Sequence, residues 1–252
     1  MYKIKSGTLF IGKNLIYLPT CQSTNDEAAD LLRLGKGPEG TVVITDYQTA
    51  GRGQRGNQWL ARAGENFTLS LILRPNFLLP SQQFQLNIAV SLGIYEFFSS
   101  ILGESLKIKW PNDLYWKDSK LGGVLIENTI QRTRLENSII GMGLNINQLA
   151  FEHPRATSLR QLTGTEYGLE ELLPKLLVSL EKNYLLLRNG HYGLLKIRYL
   201  QNLYRYQEKH LFQRENETFE GMIAGVADSG LLALQIENRL EYFDFKGISY
   251  VF

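Results

Sequence analysis

One cysteine, Cys21, and three histidines, His153, His191 and His210, are all that the 252 residues offer in thiol and imidazole. No intramolecular disulfide can form, which fits a reducing compartment. Three scattered histidines do not supply the closely spaced ligands of a zinc site, so no metal-ligating residues are assigned. Nothing in the spacing ties a histidine to Cys21, so a cysteine–histidine nucleophile is not read. A surplus of one charge is also missing: 27 Lys and Arg stand against 25 Asp and Glu, a net charge of +2. A positive field over the whole surface is therefore not the basis of function, although a local basic patch stays open. No apolar stretch approaches the ~18 residues of a membrane span. Met1-Tyr2-Lys3-Ile4-Lys5 is not followed by the apolar run of ~7–15 residues that a secretion signal carries. The chain is expected in the cytoplasm, with no membrane partner. Asn66-Phe67-Thr68 and Asn216-Glu217-Thr218 are then chance matches to the glycosylation pattern. Internal repeats and low-complexity segments are absent too.

What is present is a globular composition, 44% hydrophobic and 21% charged, enough for a sizeable core in one or two domains. Leu15 to Leu18 reads as a short strand ending at Pro19. Thr24 and Glu27 form a capping-box pattern ahead of a helix that Gly35 stops. Thr41 to Thr45 and Asn66 to Leu73 read as strands. Ser81 to Leu102 reads as a helix capped by Ser81, with Phe84, Ile88, Leu92 and Tyr95 on one stripe. Strands follow at Leu106 to Trp110, Leu121 to Glu127 and Ser138 to Ile146, then helices at Leu169–Arg188 and Tyr192–Tyr206. After His210 the character changes to short strand-like runs, Phe219 to Ile223, Leu231 to Ile236 and Tyr242-Phe243, with a turn at Asp228-Ser229-Gly230. The irregular order of strands and helices implies an α+β mixed sheet over residues 1–206. The last stretch, 207–252, implies a small β-barrel that leans on its neighbour.

Gly51-Arg52-Gly53-Gln54-Arg55-Gly56 formally matches the dinucleotide fingerprint. The residues after it do not open an amphipathic helix, and no acidic residue stands about 20 positions on. A P-loop is absent, since no Gly-Lys-Ser/Thr occurs. What remains is a glycine loop whose backbone can approach a ligand, with arginines suited to carboxylate or phosphate. It reads either as a lid that orders over an anion or as an ordinary charged surface loop. In Lys109-Trp110-Pro111-Asn112-Asp113, proline extends Trp110, and the turn exposes Asn112 and Asp113 at a strand end. Lys120-Leu121-Gly122-Gly123 brings paired glycines into an apolar strand, one reason for which is close approach of a ligand or another backbone. The bland alternative is a hairpin with solvated Lys and Asp. Gly141-Met142-Gly143-Leu144-Asn145 repeats the pattern. Asn145 suits an adenine edge or a strand-end turn.

Together with Ser23-Thr24-Asn25 and Gln48-Thr49-Ala50, and with the loop extended to Asn57-Gln58-Trp59, these segments resemble the biotin protein ligase family in order and spacing from about residue 14 onward. The resemblance implies a mixed-sheet catalytic domain related to class II aminoacyl-tRNA synthetases and lipoate ligases, plus an SH3-like C-terminal barrel. It implies a biotin pocket of Ser23, Thr24, Asn25 and Gln48, closed by Gly51, Arg52, Gly53 and Gln54, with Lys120 and Gly123 beside it. ATP or adenylate would meet Arg52, Arg55, Trp59, Asn112, Lys120 and Asn145. Lys120, Arg52 and Asp113 would be the catalytic residues. Gln54 departs from the second arginine that many members carry at that place.

The implied reaction activates biotin with ATP and Mg²⁺ to biotinyl-adenylate. It then passes biotin to a lysine of a biotin carboxyl carrier protein. Two anions meet in the first step, so charge neutralisation and alignment are the main needs. A lipoate or octanoate ligase on the same fold is the nearest rival, although the Arg-Arg-x-Ser-Gly-Gly-Gly pattern of lipoate ligases is missing. A non-catalytic adenylate-binding regulator is the other. The first motif starts at Ser23, which leaves no room for a winged-helix domain before it. The small net charge also gives little support for DNA as a partner. A homodimer is left open.

Overall fold

The β-branched apolar runs assemble into one mixed sheet in a computed structural model that describes residues 7–252. The stretch read for a secretion signal lies outside the described residues. The strands are Leu15–Cys21 (β1), Val42–Gln48 (β2), Phe67–Leu73 (β3), Leu106–Lys109 (β4), Asp113–Trp116 (β5), Ser119–Gln131 (β6) and Arg134–Leu144 (β7). Across the sheet they lie in the order β1-β2-β3-β7-β6-β5-β4. β1 and β2 are parallel, and every other neighbouring pair is antiparallel. β1 runs through Pro19 instead of ending before it. It is an edge strand, where a missing N–H leaves no ladder bond unmade. β5 is absent from the sequence reading because Asp113–Trp116 is only four residues long and begins inside the Pro-Asn-Asp turn signal.

Among the described residues five helices pack on this frame: Thr24–Arg33 (α1), Gln83–Leu102 (α2), Leu159–Thr163 (α3), Leu169–Arg188 (α4) and Tyr192–Gln201 (α5). The cap of α1 is Ser23, in extended conformation, not Thr24, which already lies in the first turn. Ser81 belongs to a short 3₁₀ turn, Pro80–Gln82, and Gln82 takes the cap position of α2. The single apolar stripe expected of α2 is too narrow a description, since every residue from Phe84 to Ile94 is buried. α2 packs against α4 and α5 as well as β4 and β5. A helix covered on several sides is apolar all round. For that reason Pro80–Ser105 is long and apolar enough, by length and composition, to cross a membrane, contrary to the reading that no such stretch exists. α5 stops at Gln201 rather than Tyr206. Arg205 and Gln207 beyond it adopt positive φ, 60° and 59°.

The C-terminal strands are Lys209–Arg214 (β8), Glu217–Val226 (β9), Leu232–Ile236 (β10), Arg239–Phe243 (β11) and Ser249–Tyr250 (β12). They form an antiparallel sheet in the order β11-β10-β9-β8-β12. Among the described residues the two edge strands do not pair, so the sheet is open and the expected closed barrel is not found. Its tie to the rest is close. The Trp110 indole Nε1 donates to the Gly230 carbonyl at 2.9 Å, and Arg205 donates to the Val251 carbonyl at 2.8 Å. One apolar core includes Leu176 of α4 and Ile223 of β9. The last residues of the chain are thereby brought beside β5.

Candidate active site

Strand register builds the floor of a cavity of about 330 Å³. β3, β7, β6 and β5 place Thr68, Gly143, Gly123 and Asp113 in one row across the sheet. Residues directly opposite share a face, and all four line the cavity. The two glycines turn the row into a trough. A Cβ on Gly143 would overlap the Trp59 ring, and one on Gly123 would come within 2.6 Å of Asp113 Oδ1 and 3.0 Å of Lys120 Nζ. At Gly123 and Gly143 it is side chains that come close, while at Gly122 a Cβ would meet the Gly143 carbonyl at 2.8 Å, the approach of another backbone that the paired glycines suggested.

Lys120 reaches the same face through a register shift between Leu114 and Tyr115, which sets Tyr115 opposite Lys120 and leaves Leu121 as the extra residue. Such a bulge re-aims a side chain. Leu121 is fully buried, while Lys120 Nζ lies 2.8 Å from Asp113 Oδ1. The backbone of Lys120 is held as well: its N–H donates to the Arg155 carbonyl at 2.7 Å, and its carbonyl accepts from Thr157 at 2.9 Å. An ammonium has three donors. One meets Asp113, which leaves two for a ligand.

The polar wall comes from the start of α1. Parallel pairing sets Cys21 beside Gln48, and the helix opens two residues later. Gln48 Oε1 accepts from the Thr24 N–H at 2.8 Å and from its hydroxyl at 3.2 Å. The Gln48 amide nitrogen is left for a ligand. The Ser70 hydroxyl donates to Asn25 Oδ1 at 2.5 Å and lies 2.7 Å from Thr24 Oγ1. Ser23 makes no side-chain cap bond although it is the cap residue, so its buried hydroxyl is also available. Burial pushes the Cys21 thiol pKa up, and a neutral thiol is a poor nucleophile.

The glycine-rich loop is a folded hairpin. Gly53 N–H donates to Asn57 O at 2.7 Å, and Trp59 N–H donates to Gly51 O at 3.0 Å. Gln54 turns inward, its Nε2 donating to Asn112 Oδ1 at 2.9 Å and to Val124 O at 3.3 Å. Arg52 lines the cavity, yet its guanidinium is engaged by carboxylates, Asp26 at 2.7 Å and Glu127 at 3.5 Å. The Asp26 hydrogen bond raises the Arg52 pKa further. The Trp59 indole N–H is buried without a protein partner.

Of the residues expected at the site, Ser23, Thr24, Asn25, Gln48, Arg52, Gly53, Gln54, Trp59, Asp113, Lys120 and Gly123 line this cavity. Gly51 is buried under the Trp59 carbonyl and beside Gln48 Nε2. Asn112 is buried just behind the wall, bonded to Gln54 and Val124. Asn145 stands apart from the lining, its amide donating to the Thr157 carbonyl at 2.9 Å. The Arg55 side chain lies outside the described residues. Sequence reasoning missed Lys109 as a lining residue, and with it Tyr250 and Phe252. Lys109 Nζ sits 4.4 Å from the Tyr250 ring centroid and 5.3 Å from that of Tyr115. Lys109 opens a motif the sequence displays. Nothing local marks Tyr250 or Phe252.

Comparison with known proteins gives the family. The model of the biotin/lipoate A/B protein ligase family matches residues 17–145. The chain is 31% identical over 239 residues to the bifunctional ligase/repressor BirA of Bacillus subtilis, covering 93% of this chain and 73% of that protein. It is 30% identical to the biotin–[acetyl-CoA-carboxylase] ligase of Paracoccus denitrificans over 86% of this chain and 92% of that one. A solved structure of biotin protein ligase from Aquifex aeolicus with biotin and ATP superimposes with a TM-score of 0.78 at 26% identity, covering 94% of this chain and 98% of that one. On the family match and these two relatives, the chain belongs to the biotin/lipoate A/B protein ligase family.

Proposed function

We propose that this protein is an ATP-dependent biotin–[acetyl-CoA-carboxylase] ligase. The observation that carries the reading is the make-up of one cavity. Neutral hydroxyls and amides from Ser23, Thr24 and Gln48 stand in it with three cations, Arg52, Lys109 and Lys120, against a single carboxylate, Asp113. The ureido ring of biotin is neutral and rich in donors and acceptors, which suits the first group. A carboxylate and a triphosphate suit the second.

In the first step a biotin carboxylate oxygen attacks the α-phosphorus of ATP. The bond to the bridging oxygen breaks, and pyrophosphate leaves with biotinyl-adenylate formed. Lys120 meets the charge that crowds onto the phosphate, where a preorganised cation acts without reorganisation. Arg52 is already held by two carboxylates, so its guanidinium acts first in keeping the loop in place. In the second step a carrier lysine amine attacks the acyl carbon, AMP leaves, and the amide forms with loss of a proton. Asp113 orients the incoming amine. Trp59 and Asn112 stand toward the nucleotide.

Mg²⁺ enters with ATP in this reading. Among the described residues Asp113 is the one Asp or Glu that lines the cavity, paired with Lys120, and no three His, Cys, Asp or Glu side chains gather. Mg²⁺ is commonly held by substrate phosphates with one or two carboxylates. The same reading assigns residues 1–206 to catalysis, with kinship to class II aminoacyl-tRNA synthetases, and 207–252 to an SH3-like domain. It sets the reaction in the cytoplasm, with a biotin carboxyl carrier domain as partner. Given biotin, ATP and Mg²⁺, the protein should release pyrophosphate, and lipoate should replace biotin poorly. Turnover with lipoate and none with biotin would sink the assignment in favour of the lipoate side of the family.

A further inference from the structure

Glu127 lies on the outer part of β6, beyond the residues that pair with β5. No expected role touches it, yet it joins two parts of the site. Its Oε2 accepts from Asn25 Nδ2 at 2.6 Å, and its Oε1 lies 3.5 Å from Arg52. Asn25 is 4% exposed and lines the cavity. Its other amide atom accepts from Ser70, so the Asn25 side chain is fixed from both ends. The space it fills lies over Gly141, where a Cβ would collide with it. Arg52 opens the glycine loop, and its second partner, Asp26, sits in the first turn of α1. One guanidinium thus ties the loop to both α1 and β6.

We propose that Glu127 is a positioning residue. It locks Asn25 into the cavity wall and, with Asp26, catches Arg52 so that the glycine loop stays folded over the ligand. The inference rests on the ligase reading for what the loop retains, whereas the catch rests on the contacts of Arg52 and Asn25 alone. Arg52, Asp26 and Glu127 are each nearly half exposed, at 43%, 48% and 44%. Exposed pairs are weak and screened by salt. A catch of this kind holds a loop and still lets it open for the carrier lysine.

Glu127→Gln separates the two contacts. The amide oxygen still accepts from Asn25, while the charge that attracts Arg52 is lost. In ligand-free protein at low salt, tryptic cleavage between Arg55 and Gly56 should run about two- to fivefold faster in Glu127→Gln, the range an exposed ion pair supports. Arg52→Gln should do the same, the double variant should exceed neither single by much, and high salt should bring wild type to the variants' rate. Release of preformed biotinyl-adenylate should rise by a similar factor in Glu127→Gln. Glu127→Ala, which also strips Asn25 of its acceptor, should raise the biotin KM beyond the Gln variant. Unchanged cleavage in Glu127→Gln, or effects of Glu127 and Arg52 that multiply, would overturn the catch. Faster cleavage with unchanged adenylate release would overturn its part in positioning. If wild type binds no biotinyl-adenylate, the ligase reading fails, and the cleavage cycle still decides whether Glu127 holds the loop.

Discussion

The floor of the cavity and the loop beside it each carry a cation paired with carboxylate, and the two pairs are built differently. On the floor, Lys120 and Asp113 are 33% and 24% exposed, at 2.8 Å, with glycine backbone beneath them. The hairpin that carries them is bonded on both sides. On the loop, Arg52 and its two carboxylates are more open to water, and the loop is held by a few short-range backbone bonds and by the Gln54 amide on Asn112 and Val124. The floor holds its cation in one place by packing and backbone pairing, and under the proposed ligase reading such a preorganised charge would act on the transition state without rearrangement. Exposed ion pairs are worth little, and under the proposed reading the loop would need that weakness to open as a lid. Burial, more than the identity of the charged groups, separates a fixed electrostatic element from a reversible one.

The largest test of that contrast is Lys120→Ala. Adenylate formation should slow on the order of 10²-fold, as when an oxyanion donor is removed. Single-turnover kinetics with a normal adenylation rate would take Lys120 out of the chemistry and erase the distinction from the loop. Next comes the packing of the floor. Gly143→Ala places a methyl group into the Trp59 ring, and overpacking of this kind costs about 1–3 kcal/mol. Urea denaturation should show a lower midpoint. An unchanged midpoint would mean that Trp59 moves freely and that the trough is not a rigid element.

A smaller effect is expected from the support behind the floor. The Pro111 carbonyl accepts from Asn87 Nδ2 and from the Tyr199 hydroxyl, each at 2.8 Å, and so steadies the turn that carries Asn112 and Asp113. Tyr199→Phe keeps the packing and removes one donor, at a cost of about 0.5–1.5 kcal/mol. Stability should fall by that amount, with kcat reduced more than KM. A variant indistinguishable from wild type in both would show that Asn87 suffices. The smallest expected effect lies on the loop. Gln54→Arg adds a charge at a half-buried position in the lining and gives up the bonds to Asn112 and Val124; at the ~0.2–1 kcal/mol of a surface pair, adenylate escape should slow at most about fivefold. The change should fade in high salt. Identical escape at both salt concentrations would show that position 54 does not grip phosphate, although its side chain faces inward.

Much of the site was legible because its residues sit in short motifs. Ser23-Thr24-Asn25, the glycine loop and Lys120-Leu121-Gly122-Gly123 are each local in sequence, and each contributes lining residues. Asn145 shows the limit of this. It lies in a motif, yet its amide is engaged by the Thr157 carbonyl, away from the lining. Thr68, Tyr250 and Phe252 show the opposite limit. They line the cavity through strand register or through the approach of the C-terminal sheet, and neither leaves a periodic signal in the chain. The helices were found where apolar spacing was strong. α4 and α5 begin where expected, at Leu169 and Tyr192, whereas the caps of α1 and α2 differ from the expected ones because several polar residues in a row can each serve as a cap.

By itself the sequence determined the α+β class, the main helices and strands, the position of the loop and the family resemblance. All of these follow from local composition, turn chemistry and motif order. Only the tertiary structure decided which way Lys120 points, which partners hold Arg52 and which residues share the row through Gly143 and Gly123. A shift of one residue in strand register reverses the face of every side chain beyond it. The bulge at Leu121 is such a shift, and it exists only once β5 and β6 have paired. The partners of Arg52, Asp26 and Glu127, are 26 and 75 residues away, a distance that only the folded chain closes.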